Sequence, residues 1–346
     1  MTNSPSRLSI SIENFISNWR FVDGLSSKAT KTAAAVKANG YGLGAREAVK
    51  NLSKAGCEKF YVAHFSEAMG IIDLVPSRQI AILNGVFDND VKDIIAANII
   101  PVLNSPQQIK LWQQAGGGTC HVMLDTGINR LGVTIDQMGE VDWDALNIHN
   151  IISHLASADE DVAQNKDQLK QFIKMKQPLK SQICSFANSA GAALGADYHF
   201  DETRPGLALY GGVARKEYDG HIKSVAMPQA RIIQTRQAKT GDKIGYNAQF
   251  ICPKDMHIAT IAVGYADGYL RSLSNKGMCE IDGRKLPVIG RVSMDLVIIN
   301  IDEAPDLLAN DWVNIYYNLP QMAQLSGLSQ YELLTLLGNR FDRHWQ

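Results

Sequence analysis

The chain carries no surplus of either charge. Lys and Arg number 34 against 35 Asp and Glu, a formal net charge of −1. That balance gives no electrostatic footprint for nucleic acid or an anionic membrane, which leaves a small molecule or another protein as partner. Cysteine is sparse and its pattern is unpaired: Cys57, Cys120, Cys184, Cys252 and Cys279 lie far apart, with no CxxC among them. They read as reduced, mostly buried thiols, and their spacing excludes a disulfide framework or a zinc site, so no metal is expected. No run stays apolar for the ~18 residues that a membrane helix needs. The segment Met1-Thr-Asn-Ser-Pro-Ser-Arg also lacks the apolar stretch of a secretory signal. The expected compartment is the cytoplasm. Internal repeats and low-complexity segments are absent as well.

What is present is apolar surface to bury. The 346 residues are 45% hydrophobic and 20% charged, the balance of a globular chain that exceeds one ordinary domain. A large barrel or two domains is expected.

Between about residues 30 and 210, short β-branched or apolar runs alternate with helical patterns, which argues for βα units around a parallel sheet. Eight strands are expected: 32–37, 59–65, 79–85, 99–104, 119–126, 147–155, 181–188 and 200–204. Helical patterns lie between most of them, at 45–54, 89–97, 106–115 and 167–177. Eight units make a (β/α)8 barrel, compact for its class. After about Lys223 the texture becomes short alternating segments, at 229–234, 257–263, 280–281 and 296–301. Breaks at Thr240-Gly-Asp, Asp267-Gly and Asp282-Gly indicate a mostly antiparallel β domain. Helix returns at 320–325 and 330–337. The expected division is a barrel domain over 1–215 and a β domain over 216–346.

Functional side chains of such a barrel gather where strands end. Lys37, Asp125-Thr-Gly-Ile-Asn-Arg130, His154, Asn188-Ser189 and Arg204-Pro-Gly-Leu occupy five of those ends. A lysine desolvated at the end of an apolar strand is a candidate for the lowered pKa that Schiff-base chemistry needs. The glycines of Lys37-Ala-Asn-Gly-Tyr-Gly-Leu-Gly44 would let backbone approach a ligand. Alternatively Lys37 snorkels to solvent and the glycines only turn the chain. A dinucleotide loop is disfavoured, because the spacing is GxGxG and no acidic residue ends the next strand. Taken alone, Arg204 reads equally as a salt-bridging arginine and His154 as a core histidine.

The segment Val36-Lys-Ala-Asn-Gly-Tyr-Gly-Leu-Gly44 closely resembles the pyridoxal phosphate signature of alanine racemases. The resemblance continues, in the family's order, through Glu67-Ala, Asp125-Thr-Gly-Ile-Asn-Arg-Leu-Gly132, Ser153-His154, Ala187-Asn-Ser-Ala190, Arg204-Pro-Gly206 and Tyr210-Gly. In the second half it includes Gly245-Tyr246, Val263-Gly-Tyr-Ala-Asp-Gly-Tyr269, Gly290-Arg-Val-Ser-Met-Asp295 and Tyr331-Glu-Leu-Leu. It spans roughly residues 10 to 335. It implies a pyridoxal 5'-phosphate-dependent enzyme that interconverts L- and D-alanine with two bases and supplies D-alanine for peptidoglycan. Lys37 would hold the cofactor and serve as one base. Tyr246, from a partner subunit, would be the other, with His154 as its hydrogen-bonding partner. Arg204 would face the pyridine nitrogen. Asn188, Ser189, Gly206, Leu207, Tyr41 and Tyr331 would bind the cofactor, its phosphate above all. Arg130 and the Met294 backbone would hold the substrate carboxylate, with Tyr265 and Asp295 on the entry corridor. A homodimer with shared sites follows from those roles.

Other readings within reach are a racemase of broader specificity, acting on serine or lysine, and a non-catalytic cofactor-binding protein. The second would match only the barrel half, whereas this chain keeps both halves. Two departures from the family pattern stand out. Met123 occupies the position of a lysine, often carbamylated, that orients the arginine here numbered 130. The second base is followed by Asn-Ala-Gln-Phe where glycine and threonine are common.

Overall fold

The computed structural model describes residues 4–346. The chain divides into two compact units, one of Phe15–Lys223 and a second of Ser224–Gln346 together with the segment ending at Asn14. The N-terminal strand β1 (Ser6–Ile10) belongs to that second unit. The division expected from sequence puts this segment in the barrel domain. Instead Ser6 to Ile10 pair with Ala230 to Ala226, where the fully buried Leu8 and Ile10 join the β core.

Strands of the first unit are β2 (Lys31–Thr32), β3 (Ala34–Ala35), β4 (Phe60–Val62), β5 (Ile80–Ile82), β6 (Ile100–Leu103), β7 (Thr119–Met123), β8 (Asn147–Ile152), β9 (Ile183–Ser185) and β10 (Glu202–Thr203). They pair in the order β2-β10-β9-β8-β7-β6-β5-β4-β3, and every pair is parallel. Only Ala33 separates β2 from β3. Its N–H donates to the Thr203 carbonyl at 2.9 Å, while the Ala34 N–H donates to that of Lys59 at 2.9 Å. One strand thus serves neighbours on both sides and closes the ring, which accounts for nine strands where eight were expected. Inside the ring Ala33, Tyr61, Ala81, Val102, Met123 and Ile152 form a buried layer. A filled interior leaves only the two mouths for chemistry.

Helices Ala45–Ala55, Val91–Ala96, Pro106–Gln114 and Ala163–Lys176 fill the connections expected to be helical. Ser105 starts one of them, its hydroxyl accepting from the Gln108 N–H at 3.2 Å with Pro106 in the first turn, the usual pairing of cap and proline.

The second unit contains β11 (Ala226–Ala238), β12 (Lys243–Ile244), β13 (Phe250–Ile251), β14 (Met256–Ile261), β15 (Met278–Ile281), β16 (Arg284–Ile289), β17 (Val297–Asn300), β18 (Trp312–Ile315) and β19 (Asp342–Trp345). Long β11 pairs with both β18 and β14, closing a six-strand circuit through β17, β16 and β15. A bulge between Ile232 and Gln234 bends it from one neighbour to the other. Apart from the parallel pair β1 and β19, pairing here is antiparallel. The expected Asp282-Gly turn joins β15 to β16 with φ of 47° and 77°, the backbone a tight hairpin requires. Among the described residues no helix is long and apolar enough to cross a membrane. All five cysteines are free and buried.

Candidate active site

Lys37 lies two residues beyond β3, and the chain then does something unusual. Ala38, Asn39, Gly40 and Tyr41 take φ of 52°, 52°, 62° and 53°, a full left-handed turn. Such a conformation costs roughly 1–2 kcal/mol for each ordinary L residue, so strain is stored beside Lys37, as functional sites often show. Glu67 holds the turn. One carboxylate oxygen accepts from the Ala38 N–H at 2.7 Å and the other from the Ala63 N–H at 2.7 Å, tying the end of strand β3 to the end of β4. The Asn39 side chain accepts from the Ala45 N–H at 3.0 Å, which fixes the entry to the next helix. The glycines of this segment therefore serve the turn, and the lysine stays on the barrel mouth. Burial and the Arg130 charge lower the Lys37 amine from its ordinary value, against a weaker opposing pull from Glu67.

The left-handed turn also places Tyr41. Its ring stacks on Tyr210 with centroids 4.6 Å apart, and a side chain at Gly206 would overlap the Tyr41 hydroxyl. Beside it, the Ser189 hydroxyl accepts from the N–H groups of Gly206 at 2.9 Å and Ala208 at 3.2 Å. Asn188 caps the preceding loop by accepting from the Gly191 N–H at 2.8 Å. Buried Leu207 opens the turn Leu207–Tyr210. Tyr41, Ser189 and Gly206 thus meet in a small cradle of hydroxyls and backbone N–H groups, which suits a phosphate. Gly206→Ala should push Tyr41 aside and weaken binding of a phosphate-bearing ligand by about tenfold or more, the effect of a lost charge-assisted hydrogen bond. Titration with pyridoxal phosphate followed by absorbance measures it, and unchanged affinity would remove Tyr41 from the cradle.

Arg204, only 6% exposed, donates to the Ser185 hydroxyl and to the Ser153 carbonyl. Both partners are neutral oxygens, so the buried guanidinium keeps its full charge at the mouth. His154, two residues beyond β8, is held through its backbone. The Gln168 amide donates to the His154 carbonyl at 3.0 Å, and its oxygen accepts from the Ala156 N–H at 2.8 Å. Burial, then Arg204, Arg130 and Lys37, push the imidazole down to about 3. His154 is therefore neutral at physiological pH and offers a ring nitrogen as a hydrogen-bond acceptor.

The unfolded imidazole titrates near 6.5 and the folded one near 3. The unfolded state alone binds this proton between those values, so the contribution is complete above about pH 6.5 and is lost as pH falls toward 3. His154→Gln should show a smaller drop in thermal midpoint between pH 7 and pH 5 than the parent protein; equal drops would contradict the shift.

Arg130 is exposed on the loop after β7. Asp125 shapes that loop by accepting from the N–H groups of Gly127, Ile128 and Asn129 at 2.9, 3.1 and 3.1 Å. Gly132 closes it with φ 125°, where a side chain would lie 2.5 Å from the Asp125 nitrogen. Arg130 acts electrostatically on both Lys37 and His154, so the three share one volume. Met123 is buried in the apolar layer of the barrel, where its thioether packs as a core side chain.

The remaining predicted residues lie in the second unit. Tyr246 sits in the loop of the β12–β13 hairpin and is 67% exposed. Positive φ at Gly245, Asn247 and Ala248 gives that loop its form without the glycine and threonine usual after this tyrosine. A side chain at Gly245 would lie 3.4 Å from the Arg291 nitrogen, so the hairpin abuts the loop that carries Met294 and Asp295. The N–H groups of Tyr265 and Ala266 donate to the carbonyls of Ser293 and Met294 at 3.1 and 3.0 Å. Arg340 bonds Asp295 at 2.7 Å and also grips buried Asp267 at 2.7 and 2.8 Å. Tyr246, Tyr265, Met294 and Asp295 thus occupy one face of this unit. Tyr331 lies in its helix Gln330–Thr335, partly exposed. Sequence reasoning missed Gln168 and Arg340, whose signals depend on tertiary contact. It noted Glu67 only as part of a motif.

Residues 10–214 match the model for the alanine racemase N-terminal domain, and residues 225–345 that for the C-terminal domain. A curated relative, the biosynthetic alanine racemase of Agrobacterium fabrum, is 35% identical over 99% of this chain and 94% of its own length. The alanine racemase of Rickettsia canadensis is 39% identical over 92% of this chain and 93% of its own length. Among solved structures, alanine racemase from Bartonella henselae with covalently bound pyridoxal phosphate superposes with a TM-score of 0.91 at 32% identity, covering all of both chains.

Proposed function

The chain belongs to the alanine racemase family, and from that premise we propose how its own residues interconvert L- and D-alanine. The activity is pyridoxal phosphate-dependent, as in the Bartonella relative. The residues present fit this cofactor on two observations: a cradle at Gly206 and Tyr41 that a Cβ would fill, and a desolvated lysine at a neighbouring strand end. When bound, the cofactor supplies an electron-withdrawing ring that makes the α-proton of an attached amino acid removable.

Lys37 would hold the cofactor through its ε-amine, and Ser189, Gly206, Leu207, Tyr41 and Tyr331 would take its phosphate, with Asn188 supporting the loop. Arg204 would face the ring nitrogen. With neutral oxygens as its bonding partners and a charge that does not titrate, it would disfavour a proton on that nitrogen and so restrain the ring as an electron sink. Arg130 and the Met294 N–H would bind the substrate carboxylate, while Tyr265 and Asp295 line the approach.

Racemisation needs a base on each side of a planar carbon, because the proton must leave one face and return to the other. Lys37 serves the face of the D enantiomer and Tyr246 that of the L enantiomer. In a single chain Tyr246 is exposed to solvent and, among the described residues, has no side-chain partner to receive its hydroxyl hydrogen bond. Docked beside the neutral His154 of a second copy, it gains an acceptor that eases proton loss. The same step would cover Ile251, Met294 and Leu296, which are exposed beside it. The functional form is therefore a cytoplasmic homodimer with two shared sites, supplying D-alanine for peptidoglycan. The carrying observation is the division of catalytic residues between two units, with Lys37, His154 and Arg204 on one and Tyr246 and Met294 on the other. Incubation with each L-amino acid and pyridoxal phosphate, followed by chiral chromatography, tests the substrate. Alanine should racemise fastest, and faster turnover of serine or lysine would replace it as substrate.

A further inference from the structure

The barrel's other mouth, where the strands begin, also carries a cavity, of about 950 Å³, lined entirely by residues of the first unit. Glu202 at its wall is only 3% exposed. One carboxylate oxygen accepts from the Tyr61 hydroxyl at 2.6 Å and the Asn150 amide at 3.0 Å. The other has no partner among the described residues, on a side chain that lines the cavity. Lys59 lines the same space. Its amine donates to the Arg78 carbonyl at 2.9 Å, leaving two N–H positions, and it makes no ion pair among the described residues. Burial lowers it to about 8, with Glu202 opposing.

A buried carboxylate and a half-buried amine that face one space without pairing leave charge that a bridging ligand would satisfy. A third group points the same way. His121 is fully buried with neither ring nitrogen bonded among the described residues, and its ring lies 5.6 Å from that of His149 on the cavity wall. Buried imidazoles normally have partners, so this end of the barrel is a polar site with vacant valences.

We propose that this cavity binds a small zwitterion of the amino-acid class, its ammonium on the free Glu202 oxygen and its carboxylate on Lys59. An anion alone would face Glu202 unscreened, and a cation alone would face Lys59; a zwitterion answers both. The site is connected to the catalytic mouth. Glu202 bonds Tyr61, and the Arg204 guanidinium lies 5.9 Å from the centroid of the Tyr61 ring. Occupancy would alter the surroundings of Arg204, a link that rests on the role proposed for Arg204, whereas the binding itself does not.

N,N-dimethylglycine tests the site, because a tertiary amine cannot condense with the cofactor aldehyde. Calorimetry on the holoenzyme should show saturable binding below about 10 mM, in the range of weak small-ligand contacts. Lys59→Met and Glu202→Gln should each weaken it by about tenfold or more, the effect of removing one partner of a buried charge contact. Arg130→Ala should leave it unchanged, which separates this site from the catalytic mouth. Lys59→Met, at the cavity rim, guards against the Glu202 variant failing to fold. Absence of saturable heat, full binding by both cavity variants, loss in Arg130→Ala, or equal affinity for acetate alone would each overturn the proposal.

Discussion

Lys37→Ala is expected to lose both the visible absorption of the lysine-bound cofactor and racemase activity, the latter by about a thousandfold or more, as when a nucleophile and base are removed together. The expectation rests on position. Lys37 follows closely on an apolar strand, its amine is held below its ordinary range by burial and by Arg130, and Glu67 fixes the backbone of the next residue. An alanine there leaves the Tyr41 and Gly206 cradle intact, so the variant should still bind the cofactor, weakly and without covalent attachment. Absorption and chiral product analysis check the two halves separately. Retained activity would mean that another amine does the work assigned to Lys37.

Tyr246→Phe should be nearly as damaging to turnover, by about a hundredfold to ten-thousandfold, the usual range for a general acid–base group. Its signature is directional. L- and D-alanine are equal in free energy, so kcat/KM must fall equally in both directions, and rates of racemisation cannot tell the bases apart. Exchange of the α-proton with heavy water can. With Lys37 intact, D-alanine should still exchange and keep its configuration, whereas exchange from L-alanine should fall with turnover. Exchange lost equally from both enantiomers would contradict the assignment of Tyr246 to the L face.

Much of this was legible in the sequence, for identifiable reasons. Barrel strands buried on both faces read as apolar runs, and all eight expected segments overlap the strands of the ring. Lys37, His154, Ser189 and Arg204 could be found because a barrel collects its chemistry where strands end. The resemblance to a known family supplied what spacing alone left open, above all the choice of Tyr246, which looks like any tyrosine of a β domain.

Other features needed tertiary structure. Strand β1 is too short to announce its partner, and only pairing with β11 assigns it to the second unit. The left-handed turn at 38–41 includes Ala38 and Tyr41, residue types that give no signal for positive φ. Glu202 reads as one polar residue before Arg204, and its meaning comes from the cavity it faces. Met123, read as a replacement beside Arg130, proves to be a buried member of the barrel's apolar layer.

In the proposed dimer each catalytic site takes Lys37 from one copy and Tyr246 from another. Mixing Lys37→Ala with Tyr246→Phe after subunit exchange tests it directly. Half of the dimers are hybrids, and each hybrid has one site with both bases intact. Activity should rise from near zero to about a quarter of the parent enzyme, by counting sites in a two-fold dimer. Hybrids confirmed by mass but no more active than the separate variants would place both bases on one chain and contradict the account.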